Sequence, residues 1–397
     1  MDMAVTGSGE SPRAMPGKPV RAVVLSGGGA SGAYEVGVLK ALFTTGERPL
    51  EPEVFTGTSI GSFNSTFLVS QWDHHGRAAI SNLESVWRER FSNRFGLLVA
   101  SAFRLRGNPL DLLNPAAYAG NPLAPLGQVA GDFTFLFFEA LRRASSFAIG
   151  TGDLIQRASN LLDVSVFLGT EPYRGIIEEI DFARVRKSSR RLRVAATNYQ
   201  SGKLVVFENK DMTDERGPLA VLASSSIPGV LPAVYIGAVP HVDGGVVLNT
   251  PLNLAIKAGA DELHVIYLDP AVEQIPTASL QSTIDSSYRE QVIGWAKVMN
   301  ENIAAAKRIN ATLRALDKLR RDPKASAAID VDWLAGQLQA EHLKQVTIHR
   351  YHPNDDLAGG AVGLLNFSWK HVSHLINRGF EDTLSHDCNE SGCVLID

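Results

Sequence analysis

Cysteine is almost absent from this chain of 397 residues: Cys388 and Cys393, both near the C-terminus, are the only two. Two thiols cannot build the disulfide framework of a small secreted scaffold, which fits a reducing compartment. They read as tail thiols, free or paired with each other. Long apolar runs are absent as well, and no stretch approaches the roughly 20 apolar residues of a spanning helix. The densest patch, Phe133-Thr134-Phe135-Leu136-Phe137-Phe138, is too short to span but long enough to lie on a membrane. The segment from Met1 to Lys18 is rich in Gly, Ser and Pro and has no signal-peptide core. Residues 1–19 are therefore expected to form a flexible tail, and the protein to be cytoplasmic or peripheral to a membrane. A missing Sec-type signal leaves delivery by a specialised secretion system open. There is no basic surplus either: the formal net charge is -4, so nucleic acid is not an expected partner. The closing Cys393-Val394-Leu395-Ile396-Asp397 sets its cysteine one position too far back for a prenylation box.

What is present is a globular composition, 45% hydrophobic and 20% charged, with enough apolar residues to bury a large core. Val20-Arg21-Ala22-Val23-Val24-Leu25 reads as a buried strand. A glycine run follows it, and then apolar positions at helical spacing from Ala33 to Phe43. Strand, glycine loop and helix open an α/β unit. A second unit follows: a short strand at Val54-Phe55, a tight turn, and a helix from Ser62 to Gln71. Residues 78–177 read as a largely helical insertion. Strand patterns return from Leu192 to Ala196, Leu204 to Phe207 and His264 to Leu268, with a helix from about Leu219 to Ser225 among them. Residues 276–397 are expected to be mostly helical. They contain a long amphipathic helix through Tyr288, Trp295 and Ile303, a strand over 345–351 that joins the main sheet, and a last helix from Trp369 to Leu384.

Three motifs carry chemistry. Gly57-Thr58-Ser59-Ile60-Gly61 fits G-x-S-x-G between a strand and a helix, the context in which a sharp turn lifts a serine hydroxyl above a sheet. Gly27-Gly28-Gly29-Ala30-Ser31-Gly32 lets backbone N–H groups converge at a helix start, a nest for a phosphate or an oxyanion, or simply a turn. As a dinucleotide loop it lacks a well-placed acidic residue, and as a P-loop it lacks the Lys-Ser/Thr ending. His241-Val242-Asp243-Gly244-Gly245 places an Asp in a glycine-rich turn. A serine nucleophile needs a base within hydrogen-bond reach. Asp243, or a histidine such as His241, His349, His352, His371 or His374, meets that need on spacing alone. Neither His74-His75 nor His371 with His374 has carboxylates or cysteines at a known ligand spacing, so no metal and no cofactor is expected.

Together, in this order and spacing, the three motifs resemble the patatin-like phospholipase family. The stretch Ala223–Pro232 before the Asp motif and Val247–Leu252 after it resemble the family too, over roughly Arg21 to Pro270. The resemblance implies a three-layer α/β/α sandwich with a mostly parallel central sheet, a helical insertion and a helical C-terminal extension, with residues 20–275 as the catalytic domain. It also implies a serine lipid acyl hydrolase with a Ser59–Asp243 dyad and no histidine. Amides of Gly27, Gly28 and Gly29 would form the oxyanion hole, with Gly32, Gly57, Gly61, Gly244 and Gly245 supporting the motifs. The implied partner is a lipid or membrane-surface substrate, with Phe133 to Phe138 as a candidate contact and Arg142-Arg143 as basic anchors. One departure is Ser31, where the family often carries Arg or Lys. Alternatives are a non-catalytic lipid- or protein-binding module on the same fold and an α/β-hydrolase-type esterase with a Ser-Asp-His triad.

Overall fold

A computed structural model of the chain describes residues 18–47, 49–92, 102–107, 123–149, 168–269, 272, 283–322, 330, 333–334, 336–337, 343–357, 359 and 361–396. Most of the expected N-terminal tail, and much of 78–177, lies outside the described residues. An eight-stranded sheet organises the rest. In chain order its elements begin with β1 (Arg21–Leu25), α1 (Gly32–Thr44), β2 (Val54–Thr58), α2 (Ile60–His75) and α3 (Ala79–Val86). The insertion contributes β3 (Arg104–Leu105), α4 (Ala124–Ile149), β4 (Leu168–Gly169) and α5 (Glu171–Glu178). Then come α6 (Phe182–Lys187), β5 (Arg191–Asn198), β6 (Leu204–Glu208), α7 (Arg216–Ser224), β7 (Val234–Ile236) and β8 (Val239–Asp243). The chain closes with α8 (Leu252–Lys257), β9 (Glu262–Ile266), α9 (Thr283–Arg321), β10 (Thr347–Tyr351) and α10 (Trp369–Leu384).

The sheet runs β10-β9-β1-β2-β5-β8-β7, with β6 paired to β5. The five strands from β10 to β5 are parallel, and β6, β7 and β8 are antiparallel additions. β1 is apolar on both faces because both are covered, as a parallel sheet requires. Val23 and Leu25 join a cluster built from α1, α2, α3 and α10. Ala22 and Val24 join a second one with Leu252 and Ala255 of α8 and Met299 and Ile303 of α9. The result is an α/β/α sandwich. Where α1 crosses α10 the backbones nearly touch: a Cβ on Gly37 would meet the Phe380 nitrogen at 2.7 Å, and one on Gly379 would meet the carbonyl of Tyr34.

Some boundaries differ from the sequence reading for identifiable reasons. α7 starts at Arg216 rather than Leu219, since Pro218 in a first turn costs no helical hydrogen bond. The two-residue pair β3–β4 was invisible within an apparently helical insertion. The Phe133–Phe138 patch sits on α4 and faces outward: Phe133, Phe137 and Phe138 are 59%, 65% and 61% exposed. Arg142 and Arg143 are both paired with Glu139, which leaves one net positive charge among these three side chains of the helix. Among the described residues, no helix is long and apolar enough to cross a membrane.

Candidate functional site

Parallel pairing places the first two motifs side by side. Leu25 of β1 is level with Gly57 of β2, so the glycine loop and the Ser59 turn leave adjacent strands at the same height. The chain runs to opposite sides of β1 here, with β9 on one flank and β2 on the other, and such switch points at strand C-termini are where open α/β sheets hold ligands. The third motif arrives across β5. Thr58 is level with Ala195, and the next residue, Ala196, pairs with Asp243 on the antiparallel strand β8. The turn after β8 then folds back, bringing Gly244 within 3.0 Å of the Thr58 methyl as measured from an ideal Cβ.

Ser59 has φ 55° and ψ -127°, the one positive φ on a non-glycine among the described residues. That conformation costs on the order of 1–3 kcal/mol and survives only where the surroundings over-determine it. They do so here. The Ser59 N–H donates to Ser224 Oγ at 2.9 Å, and Ser224 Oγ in turn donates to the Ala195 carbonyl at 2.6 Å. The Ser59 carbonyl accepts from the Ser62 N–H at 2.9 Å and the Ser62 hydroxyl at 2.6 Å. No side chain fits at Gly57, against the Gly61 carbonyl, or at Gly61, where a Cβ would lie 2.7 Å from the Leu25 carbonyl.

Asp243 is 5% exposed, as is Ser59. Its Oδ1 accepts from the Gly245 N–H at 2.7 Å, and its backbone is fixed by Ser226 and Thr197. Oδ2 is buried with no hydrogen bond of regular geometry. Burial pushes the carboxyl up to about 7, against the opposing pull of the Gly245 N–H and the Ser59 hydroxyl beside it. Ser59, Asp243, Gly27, Gly28 and Gly29 all line one cleft, closed on its far side by Tyr288 and Trp295 of α9. Trp295 Nε1 donates to the Gly245 carbonyl at 2.6 Å, so the long helix holds the Asp turn in place.

The glycine loop divides. The Gly27 N–H donates to the Asn249 carbonyl at 3.2 Å, which corrects the expectation that it is free to meet an oxyanion. The N–H groups of Gly28 and Gly29 have no partner among the described residues. Gly29 has φ +55°, and a Cβ there would strike the Leu364 carbonyl, so glycine is required. Gly32 is needed for space against Ile60 at 2.7 Å. Ser31, at the departure from the family pattern, is 1% exposed and its hydroxyl has no partner.

No histidine lines this cleft among the described residues. His241 Nδ1 is 2.9 Å from the Val239 carbonyl on its own strand, and His352 stacks on Tyr267. Sequence reasoning missed Glu35. It is fully buried, accepts from the Ser26 N–H and from Asn64 Nδ2 at 2.8 Å each, and burial raises its carboxyl well above the usual range. It ties the base of the glycine loop to α2. An acidic residue in the apolar stretch Ala33 to Leu39 was the available signal.

Among solved structures, VipD from Legionella pneumophila is similar over 92% of this chain and 66% of its own, with 13% identity and a TM-score of 0.38. A family model described as patatin-like phospholipase matches residues 23–256, more than half of the sequence. The chain belongs to the patatin-like phospholipase family.

Proposed function

We propose that this protein is a serine lipid acyl hydrolase of the phospholipase A or lysophospholipase type, with Ser59 as nucleophile and Asp243 as general base. Family membership supports lipid acyl hydrolysis in general. The observation that carries the finer reading is the buried, unpartnered Asp243 Oδ2 in one cleft with the Ser59 hydroxyl and two unpartnered glycine amides.

In this reading the Ser59 hydroxyl attacks an ester carbonyl while its proton passes to Asp243 Oδ2. A carboxylate titrating near 7 is a far better base than an ordinary one. The oxyanion of the tetrahedral intermediate meets the Gly28 and Gly29 N–H groups, and each such donor is worth about 3 kcal/mol of barrier. Protonated Asp243 then gives its proton to the departing alcohol, leaving an acyl-enzyme. Water, deprotonated by Asp243, attacks the acyl carbonyl, and the proton returns to Ser59 as the fatty acid leaves. No histidine is required.

A second, small crevice opens from Ser59 beside Ile227 and Leu364. Its walls include Phe91, Phe103, Tyr173, Leu231, Leu365 and Phe367, an apolar lining round a space of about 20 Å³, room for a water-sized group and for an acyl chain only once widened. The exposed phenylalanines of α4 supply an apolar surface for entering a lipid aggregate, on a protein that is cytoplasmic or peripheral to a membrane. A fluorophosphonate probe should label the wild type and not Ser59→Ala. Mass spectrometry of a mixed lipid extract should show released fatty acid with wild type and none with Asp243→Asn. A labelled Ser59→Ala, or full activity in Asp243→Asn, overturns the dyad.

A further inference from the structure

At the outer strand of the sheet, two strands from β1, the chain end returns to β10. Val394 pairs with Ile348 in both directions, N–H to carbonyl at 2.7 and 2.9 Å, so the C-terminal segment covers what would otherwise be a bare edge. Four side chains converge beside that bridge. His349 comes from β10, and His386, Cys388 and Cys393 from the segment after α10. One ligand atom from each lies within 4.8 Å of all the others.

We infer that His349, His386, Cys388 and Cys393 form a tetrahedral site for a divalent metal ion, zinc by its donor set, which staples the C-terminal segment to the sheet edge. The spacing of the donors fits the ion. Bonds of about 2.3 Å to sulfur and about 2.05 Å to nitrogen at tetrahedral angles set sulfur and nitrogen about 3.5 Å apart. Here Cys388 Sγ is 3.3 Å from His349 Nδ1 and 3.5 Å from His386 Nε2, and Cys393 Sγ is 3.7 Å from His386 Nε2.

The surroundings are those of ligands held in place from behind. His386 offers Nε2 to the sulfurs while its Nδ1 sits 3.2 Å from Ser391 Oγ. His349 offers Nδ1 while its ring stacks on His264, and its Nε2 lies 4.0 Å from Glu262 Oε1, beyond hydrogen-bond reach. A hydroxyl hydrogen-bonded behind an imidazole, as Ser391 is behind His386, fixes its ring and raises its basicity as a metal ligand. The Arg350 N–H points at Cys393 Sγ from 3.2 Å, a donor suited to a thiolate. Two thiols would release their protons to solvent, and two thiolates with one dication make a neutral unit that suits a half-buried site. Sulfur and imidazole donors favour zinc over magnesium or calcium. Four protein ligands leave no open position, so the ion is structural and takes no part in ester hydrolysis. The three-residue group Glu262, His264 and His349 shares His349 with this site, and its carboxylate is bonded to His264 Nε2 at 3.1 Å. The sequence showed no ligand spacing because His349 lies 39 residues before Cys388, on a different element.

The test uses the full chain purified under reducing conditions without chelator. Elemental analysis should find one zinc per chain. After stripping, cobalt should give the thiolate charge-transfer band and the intense visible bands of a tetrahedral ion, in one equivalent. Cys388→Ser and His386→Ala should lose that spectrum, and Ser391→Ala should keep it with zinc bound about 10–100-fold more weakly. Zinc should raise the melting temperature of the stripped wild type and not of Cys388→Ser. Reduced wild type that takes up no more cobalt than the Cys388→Ser/Cys393→Ser double variant overturns the site. So does an octahedral spectrum without charge transfer, or a chain whose two cysteines form a disulfide and bind no zinc after reduction. If the variants fail to fold, the wild-type cobalt spectrum decides. Ester hydrolysis is not a readout, so the result stands apart from the Ser59 chemistry.

Discussion

Replacing Asp243 by Asn should make the protein more stable and catalytically dead, and the gain should depend on pH. Burial lifts the Asp243 carboxyl from 3.8 to about 7. That difference corresponds to about 4 kcal/mol between the two protonation states. Below pH 3.8 the carboxyl is neutral in both folded and unfolded chains and costs nothing. Between 3.8 and about 7 the unfolded chain ionises while the folded one keeps its proton, so stability falls as pH rises. Above 7 the folded state carries a buried charge, and the full deficit of about 4 kcal/mol persists. Asn is isosteric, can still accept from the Gly245 N–H, and removes the titration. Urea midpoints of wild type and Asp243→Asn, measured from pH 4 to 9, should diverge steadily up to pH 7 and then run parallel. A difference that does not vary with pH, or a variant less stable than wild type at pH 8, refutes the reasoning. The same carboxyl must be ionised to act as base, so kcat/KM on a soluble ester should fall below about pH 7.

Four further outcomes follow from the geometry. Ser59→Gly should relieve the positive φ and stabilise the fold by about 1 kcal/mol while abolishing turnover, as read by thermal melting and an ester assay. Gly29→Ala should lower kcat by about 100-fold or more, because the new Cβ strikes the Leu364 carbonyl and displaces an amide that faces the cleft. Glu35→Gln should cost about 1–3 kcal/mol in a urea melt, because both carboxyl oxygens accept from N–H donors and the Gln amide would turn an N–H toward the Ser26 N–H or Asn64 Nδ2, and Glu35→Leu should cost at least as much by stranding both donors. Replacing Phe135 and Phe137 by Ser should reduce activity on vesicles more than on a short soluble ester; equal losses on both count against a membrane-facing α4.

Local pattern carried much of this protein. The apolar run of β1, the glycines after it, and the G-x-S-x-G turn between a strand and a helix are short-range features, set by backbone sterics and the period of buried side chains. So are the long α9 and the closing helix α10, whose apolar positions recur every three to four residues. The family resemblance rested on the same short segments in order. What the sequence alone could not determine was which polar groups end up unpaired once segments 190 residues apart are brought together. The freedom of the Gly28 and Gly29 amides, the loss of Gly27 to Asn249, the orphaned Asp243 Oδ2 and the Ser224 bond to the Ser59 N–H exist only across the sheet. The convergence of His349 with His386 and the two cysteines is of the same kind. Local propensity decides where elements form, but desolvation and donor geometry depend on what packs beside them, and that is a property of the tertiary structure.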